Sequence, residues 1–355
     1  MKNRILSLVA ALACAATSFA QMANIATLNH NGKISAFYGA DALISAMEAA
    51  DHGDIISLSS GRFNAADITK AVTLRGTGMF SSTDTENPHD PTLVVNNCTI
   101  SIADSVPQTL KIEGINFCGD HIDVNKSLNN AQFSKCKFHR FSIYDICNDL
   151  LFTSCRIIGS FSVITTKGKV TATFINSLLY NCGINSNSAF VHYFNFTNCF
   201  IGGYISGGNA KLTNTYNNCV FCPSGSYSNN RINQYSSATN CVAIIPSNAS
   251  TNVSDFFEKM ASGNTTNKYV SEISSFFKYY TYTDGTFNDS SNFELTKTAA
   301  ATYLGTDGTQ VGIYGGSLPY EEAPLLPQIT KCQVASRTTA DGKLSVDIEV
   351  KAADY

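Results

Sequence analysis

The chain has 355 residues, a formal charge of −3 and only 14% charged residues, well under the roughly 25% of an average soluble domain. Lys and Arg together number 24, fewer than the 33 Asn, which excludes a basic surface of the kind that holds nucleic acid. A hydrophobic content of 44% excludes intrinsic disorder.

The first element is an export signal. Lys2 and Arg4 precede an apolar run from Ile5 to Ala16, and Ser18-Phe19-Ala20 supplies the small residues of a cleavage site. Residues 1–20 are therefore expected to be a signal peptide, with the mature chain starting near Gln21. The run is too short to span a bilayer, and no other stretch is long enough. The expected location is outside the cell, at its surface or in a periplasm. Leu12-Ala13-Cys14 would permit a lipid anchor, although Ala11 stands where a larger aliphatic residue is usual.

Residues 39–53 come next and predict a capping helix. Leu43, Ile44 and Met47 share one helical face, and Gly53 is placed to end it. Asp54 to Leu58 predicts a first strand and Ile68 to Leu74 the next.

From there a short pattern recurs: apolar, two residues, Cys or a small residue, one residue, apolar. It covers Val95 to Ile100, Phe133 to Phe138, Phe152 to Ile157, Phe174 to Leu179, Phe196 to Ile201 and Tyr216 to Phe221, and ends at Asn240-Cys241. Ile112 to Phe117 is a variant with Ile115 at the Cys place. The mean step is about 20 residues, too short for helix-pair repeats or propeller blades and suited to one coil of a solenoid. Alternating β-branched and aromatic residues favour strands. Asn at the bends tolerates a left-handed backbone, and its amide is expected to bond its neighbour in the next coil.

Eleven cysteines follow Cys14, and six of them (98, 136, 155, 199, 219 and 241) fall on the repeat position. Parallel neighbours pointing the same way make poor disulfides, so a buried thiol ladder is expected. Cys219 and Cys222 form a Cys-x-x-Cys pair with no His nearby to complete a metal site. Phe133, Phe152, Phe174 and Phe196 read as a core stack.

After Cys241 the period fails. Val253 to Ala261 suggests a short helix, and Asp284-Gly285 a hairpin turn. Residues 321–327 read as a linker. Residues 328–355 predict a hairpin of Ile329 to Ser336 and Lys343 to Lys351. Such a hairpin is marginal alone, so it packs on the rod, pairs with another copy for self-association, or is the remnant of a sandwich module.

Three stretches carry a family resemblance: Ala42 to Gly78, the repeated Asn-Cys coil, and Asn292 to Gly316. They resemble secreted bacterial right-handed parallel β-helix proteins of the pectate-lyase-like superfamily. The resemblance implies an all-β fold: a single-stranded right-handed parallel β-helix over residues 21–320, of about nine coils with an N-terminal capping helix, irregular C-terminal coils and a C-terminal β-hairpin segment. It implies no activity, because the superfamily holds lyases, hydrolases, adhesins and others. The Asn-Thr-Asp, Gly-His-Gly and Arg-x-Lys motifs of its polygalacturonases do not occur here.

The candidate catalytic cluster lies in two adjacent coils, one with Asp120 and Asp123 and the next with His139, Arg140 and Asp145. Stacking Cys136 above Ile115 would put Asp123 near Ser142 and Asn125 near Tyr144. Carboxylates beside His and Arg suit acid–base work on a sugar, or oxygen ligation of calcium. The competing reading is a set of solvated polar residues on an outer face. No Asp or Glu occurs from Ile157 to Cys241, which is odd for a glycosidase groove. Tyr144, Tyr180, Tyr193 and Tyr204 are candidate platforms for sugar faces, the competing reading being core rings. His192 reads as a structural residue. The expected function is binding of glycan or cell-envelope partners without catalysis, and the alternative is a polysaccharide lyase or glycoside hydrolase.

Overall fold

A computed structural model describes residues 24–81, 90–103, 106–119, 121–186, 189–203, 212–223, 232, 234–245, 256–258, 260, 266–280, 282–283, 286–287, 291–321, 328–334, 342–343 and 345–351. The signal peptide, Asp120, Tyr204, most of the 253–261 helix and nearly all of the linker lie outside these residues.

The chain is a parallel β-solenoid of about eight turns. It opens with a hairpin that the sequence reading did not include: β1 (Ile25–His30) and β2 (Lys33–Tyr38) pair antiparallel from Ile25↔Tyr38 to His30↔Lys33. Asn31 (φ 50°) and Gly32 (φ 84°) form its two-residue turn, both residues adopting the positive φ that a type I′ turn demands. Helix α1 (Ala42–Ala49) follows and buries Ala42, Leu43, Ala46 and Met47 against the end of the stack. It stops at Ala50 in extended backbone. Gly53, at φ 94°, serves the next turn, where its N–H donates to the Ala71 carbonyl.

β3 (Ile55–Leu58) pairs β1 antiparallel and begins the parallel coils. Each coil gives one strand to a first sheet and one to a second sheet, each 12-stranded among the described residues. The corner from first to second sheet is two residues long. Its leading residue has a left-handed backbone at Lys135, Ser154, Asn176, Asn198, Asn218 and Asn240 (φ 46–55°), which is why Asn recurs there. The next residue turns inward and forms the expected column: Ile115, Cys136, Cys155, Ser177, Cys199, Cys219 and Cys241, all buried. The Sγ of Cys136, Cys155, Cys199, Cys219 and Cys241 donates to the carbonyls of Ile112, Phe133, Phe174, Phe196 and Tyr216, one coil back, at 3.3–3.5 Å. The ten cysteines from Cys98 to Cys241 are all free thiols.

Cys98 does not belong to this column. It pairs with Ile122, itself paired with Phe141, on the far half of the second sheet. Its coil meets the thiol column at Thr92, because Leu93 pairs with Asn116, next to Ile115.

The core is a stack of rings. Phe133, Phe152, Phe174, Phe196 and Tyr216 lie one above another with centroids 4.7–4.9 Å apart, the spacing of strands within a sheet. Alternation along each strand sends every second side chain to this core.

In its later coils the second sheet is apolar on both sides. Leu179, Ile201 and Phe221 face the interior, while Leu178, Tyr180, Phe200, Val220 and Val242 face a second cluster with Phe276, Phe277, Phe293, Leu295, Val311 and Ile313. Ile273, Phe276 and Phe277 begin this cover and residues 291–321 complete it. The latter are not further coils but a strap that lies along the corner and meets successively earlier coils. Thr306 and Gly312 bond Asn218, the Asn176 amide donates to the Ile313 and Gly315 carbonyls (2.7 and 2.8 Å), the Tyr320 hydroxyl meets Arg156 Nε (2.8 Å), and Glu321 pairs with Lys135 (3.2 Å). The corner amides of Asn176 and Asn218 are therefore spent on the strap rather than on each other. An amide ladder of the expected kind does occur at another corner, where Asn148 Nδ2 donates to Asn129 Oδ1 at 2.9 Å. Gly316 lies so close to Asn198 that a Cβ would fall 2.1 Å from its amide nitrogen.

The terminal hairpin is present as Gln328–Val334 paired antiparallel with Val346–Lys351, in a sheet of its own.

Candidate functional site

Two outward surfaces carry the residues singled out in the sequence. The first lies on the far half of the second sheet. Asp123 pairs in register with Ser142 above and Thr99 below, as the stacking argument expects. Extending that register sets Asn125 beside Tyr144, whose N–H donates to the Val124 carbonyl at 2.9 Å, and sets His121 beside Arg140. The result is a grid: His121, Asp123 and Asn125 in one coil beneath Arg140, Ser142 and Tyr144 in the next. Arg140 and His139 are exposed at a register shift that bends the sheet, and Tyr144 is 41% exposed.

Asp145 does not join this grid. The chain turns at Tyr144, and the Asp145 carboxylate is buried, accepting from the Ile146 N–H at 2.7 Å and from the Lys167 ammonium. Burial pushes its pKa up, but the Lys167 and Ile146 bonds outweigh that and hold it below the usual carboxylate range. It is a corner brace, ionised and engaged, and unsuited to proton transfer. The carboxylate that sequence reasoning missed is Asp67. It accepts from Thr99 Oγ1, so Asp67, Thr99 and Asp123 form one outward ladder. Its signal was its place just before the strand predicted from Ile68, which bridges to Ile100. Among the described residues no group of three or more His, Cys, Asp or Glu could hold a metal ion.

The second surface is the outer face of the first sheet. Register places three rows along it: Thr153–Ile175–Thr197–Asn217–Thr239, Leu151–Thr173–Asn195–Thr215–Ser237, and Thr171–Tyr193–Thr213. Every one of these side chains is uncharged. The rows repeat at the strand spacing of about 4.8 Å across coils and about 6.7 Å along each strand. Tyr193, 45% exposed, stands between Thr171 and Thr213. Charge stands at the edge of these rows, where the exposed Asp149 carboxylate accepts from Thr171 Oγ1 at 3.2 Å, and again at the N-terminal coils, where Arg75 Nε meets Glu113 at 2.9 Å.

Tyr180 is not part of either surface. Its ring is 1% exposed and lies 5.9 Å from Phe293 under the strap, which rules it out as a sugar platform. His192 is fully buried. Its Nδ1 accepts from the Val170 N–H at 3.0 Å, its Nε2 has no partner among the described residues, and burial lowers its pKa to about 4. It is neutral at ordinary pH, with the proton on Nε2.

No family model, curated protein or solved structure matches the chain. Among the described residues no helix is long and apolar enough to cross a membrane.

Proposed function

We propose that the protein is an exported, non-catalytic glycan-binding solenoid, related in architecture to the pectate-lyase-like superfamily, that holds a neutral polysaccharide of the cell envelope or surroundings on the outer face of its first sheet. One observation carries this reading: three aligned rows of Thr, Asn and aliphatic residues without a charge, with the exposed ring of Tyr193 among them. Sugar rings have an apolar face that stacks on an aromatic ring, and hydroxyls that pair with Thr and Asn. Rows of uncharged side chains lose no charge solvation when a neutral polymer covers them, and the one carboxylate beside them, Asp149, is bonded to Thr171 at their edge. Export is supported by Lys2, Arg4, the apolar run to Ala16 and Ser18-Phe19-Ala20.

The alternative, a polysaccharide lyase or glycoside hydrolase, draws on the Asp123 grid. Asp67 and Asp123 stand two strand spacings apart, about 9.6 Å between backbones, far from the roughly 5 Å carboxyl separation of retaining enzymes and nearer the spacing of inverting ones. Asp67 is already bonded to Thr99.

Affinity electrophoresis in gels of neutral and acidic polysaccharides, run beside assays for new reducing ends and unsaturated products, separates the two. The expected result is retardation by a neutral polymer, no product, and binding weakened about 5- to 10-fold in Tyr193→Ala, from roughly 1 kcal/mol of ring stacking. Product formation that disappears in Asp123→Ala overturns it in favour of the enzyme.

A further inference from the structure

The first sheet ends at its N-terminal side on β2, whose only strand partner among the described residues is β1. A two-residue hairpin makes its closing pair, His30 and Lys33, a hydrogen-bonded pair, and hydrogen-bonded pairs then recur at every second position. Lys33, Ser35 and Phe37 therefore bond to β1. Ile34, Ala36 and Tyr38 present their N–H and C=O groups to the open edge. An open edge of this kind is a template for another strand.

The side chains along that edge are unusual. Ile34 is 69% and Tyr38 68% exposed, the two most exposed large hydrophobic residues among those described. Phe37, on the opposite face, packs against the core, so the outward row is Ile34, Ala36 and Tyr38. This row is self-complementary. A second copy of β2 laid antiparallel about a two-fold axis at Ala36 sets Ile34 opposite Tyr38 of the second copy, Ala36 opposite its twin, and Tyr38 opposite Ile34. All three pairs fall on the positions with free backbone groups, each exchanging two hydrogen bonds. Aromatic–aliphatic pairs are favourable cross-strand neighbours. Lys33 falls opposite Gly39 of the second copy, so like charges do not meet along the strand.

The helix cap does not obstruct this approach. β1 and β2 extend the first sheet by two strand spacings beyond β3, about 9.6 Å, close to the roughly 10 Å diameter of a helix. α1 packs beside β1 and β2, in the cluster that Phe37 joins, on the face opposite the row of Ile34, Ala36 and Tyr38.

We infer that the protein forms an isologous dimer, two rods joined head to head through β2, in which the two first sheets become one continuous sheet. The occupant of the edge is a second copy of this chain. The interface is independent of glycan binding and of the terminal hairpin.

Sedimentation velocity on the full chain tests this. The wild type is expected to sediment as a dimer. Ala36→Pro removes the central edge N–H and leaves every bond to β1 in place, since Pro is tolerated where the N–H faces outward from an edge strand. That variant is expected to be monomeric with an unchanged circular-dichroism spectrum. A second pair of variants keeps the question answerable if Ala36→Pro misfolds. Ile34→Glu and Tyr38→Lys should each be monomeric alone, and an equimolar mixture should recover a heterodimer, because Glu at one edge then faces Lys at the other. A wild type that stays monomeric at its highest soluble concentration overturns the inference. So does a folded Ala36→Pro that remains dimeric, or a Glu and Lys mixture that recovers no heterodimer.

Discussion

Phe152 and Phe174 lie one coil apart with ring centroids 4.8 Å apart and planes inclined by 10°. The rings touch at the spacing that backbone hydrogen bonding sets between strands, so the two interactions reinforce one another without strain. Edge-on contacts tie the stack to the second sheet, as between Phe161 and Phe174 at 5.3 Å. Phe174→Ala would open a void that neighbours held by two sheets cannot fill. The expected cost is about 3–5 kcal/mol, read as a shift in the midpoint of urea unfolding.

The thiol column makes a chemical prediction. Burial raises the pKa of Cys155 and Cys219 well above the usual thiol value and pushes Cys182 and Cys222 up to about 12. Thiolate is the reactive form, so these side chains are protected twice, by access and by charge state. Cys118, which is exposed, should be alkylated in the folded protein, with Cys136, Cys155, Cys199, Cys219 and Cys241 modified only after denaturation. Peptide mass mapping with two isotopic labels, before and after unfolding, checks the order. Because Ser177 already fills one place in the column and donates to Phe152 O at 3.3 Å, Cys199→Ser should cost only about 1 kcal/mol.

The strap is held at its far end by Tyr320 on Arg156. The guanidinium is buried, lies 4.6 Å from the Phe80 ring centroid, and bonds the Tyr320 hydroxyl at 2.8 Å. Tyr320→Phe keeps the ring and removes that acceptor from a buried cation. A loss of about 1.5–3 kcal/mol is expected. Proteolysis within residues 291–321 should accelerate in the variant, as the strap lifts more often.

His192 gives a pH dependence with a definite sign. Its folded pKa is about 4, below the 6.5 of an unperturbed imidazole, so the unfolded chain takes up a proton first as pH falls. Its contribution is constant above about pH 6.5 and is lost progressively from there down to about pH 4. His192→Asn keeps an acceptor for Val170 and has no proton to gain. The difference in urea midpoint between variant and wild type should shift in favour of the variant through that window and level off below it.

The periodic interior was legible in the sequence because each coil must put a small residue at the inward corner and a ring on the strand before it. Phe133, Phe152, Phe174 and Phe196 announce themselves that way. Cys98 was misplaced because Val95 to Ile100 copies the motif while its left-handed Asn96 serves the bend inside the second sheet. Tyr180 was read as outward, and its strand does point it outward. What hides it is Phe293, more than a hundred residues later, which no local pattern reveals. The hairpin of β1 and β2 carried a readable Asn31-Gly32 signal. At the candidate site, the Asp123 and Ser142 neighbourhood followed from coil arithmetic alone, whereas the fate of Asp145 depended on which side of a corner it fell and on Lys167 waiting there.

The strap has a temporal consequence. Stacked coils can settle one after another as a chain emerges, each needing only the one before it. Here the outer flank of the second sheet stays bare until Phe276 and the strap arrive, and its cover is complete only when Tyr320 meets Arg156, 164 positions earlier. The middle of the rod is thus finished last, by its own tail. A polypeptide arrested before Phe276 would carry an uncovered oily flank of Leu178, Phe200, Val220 and Val242, ready to stick to whatever it met.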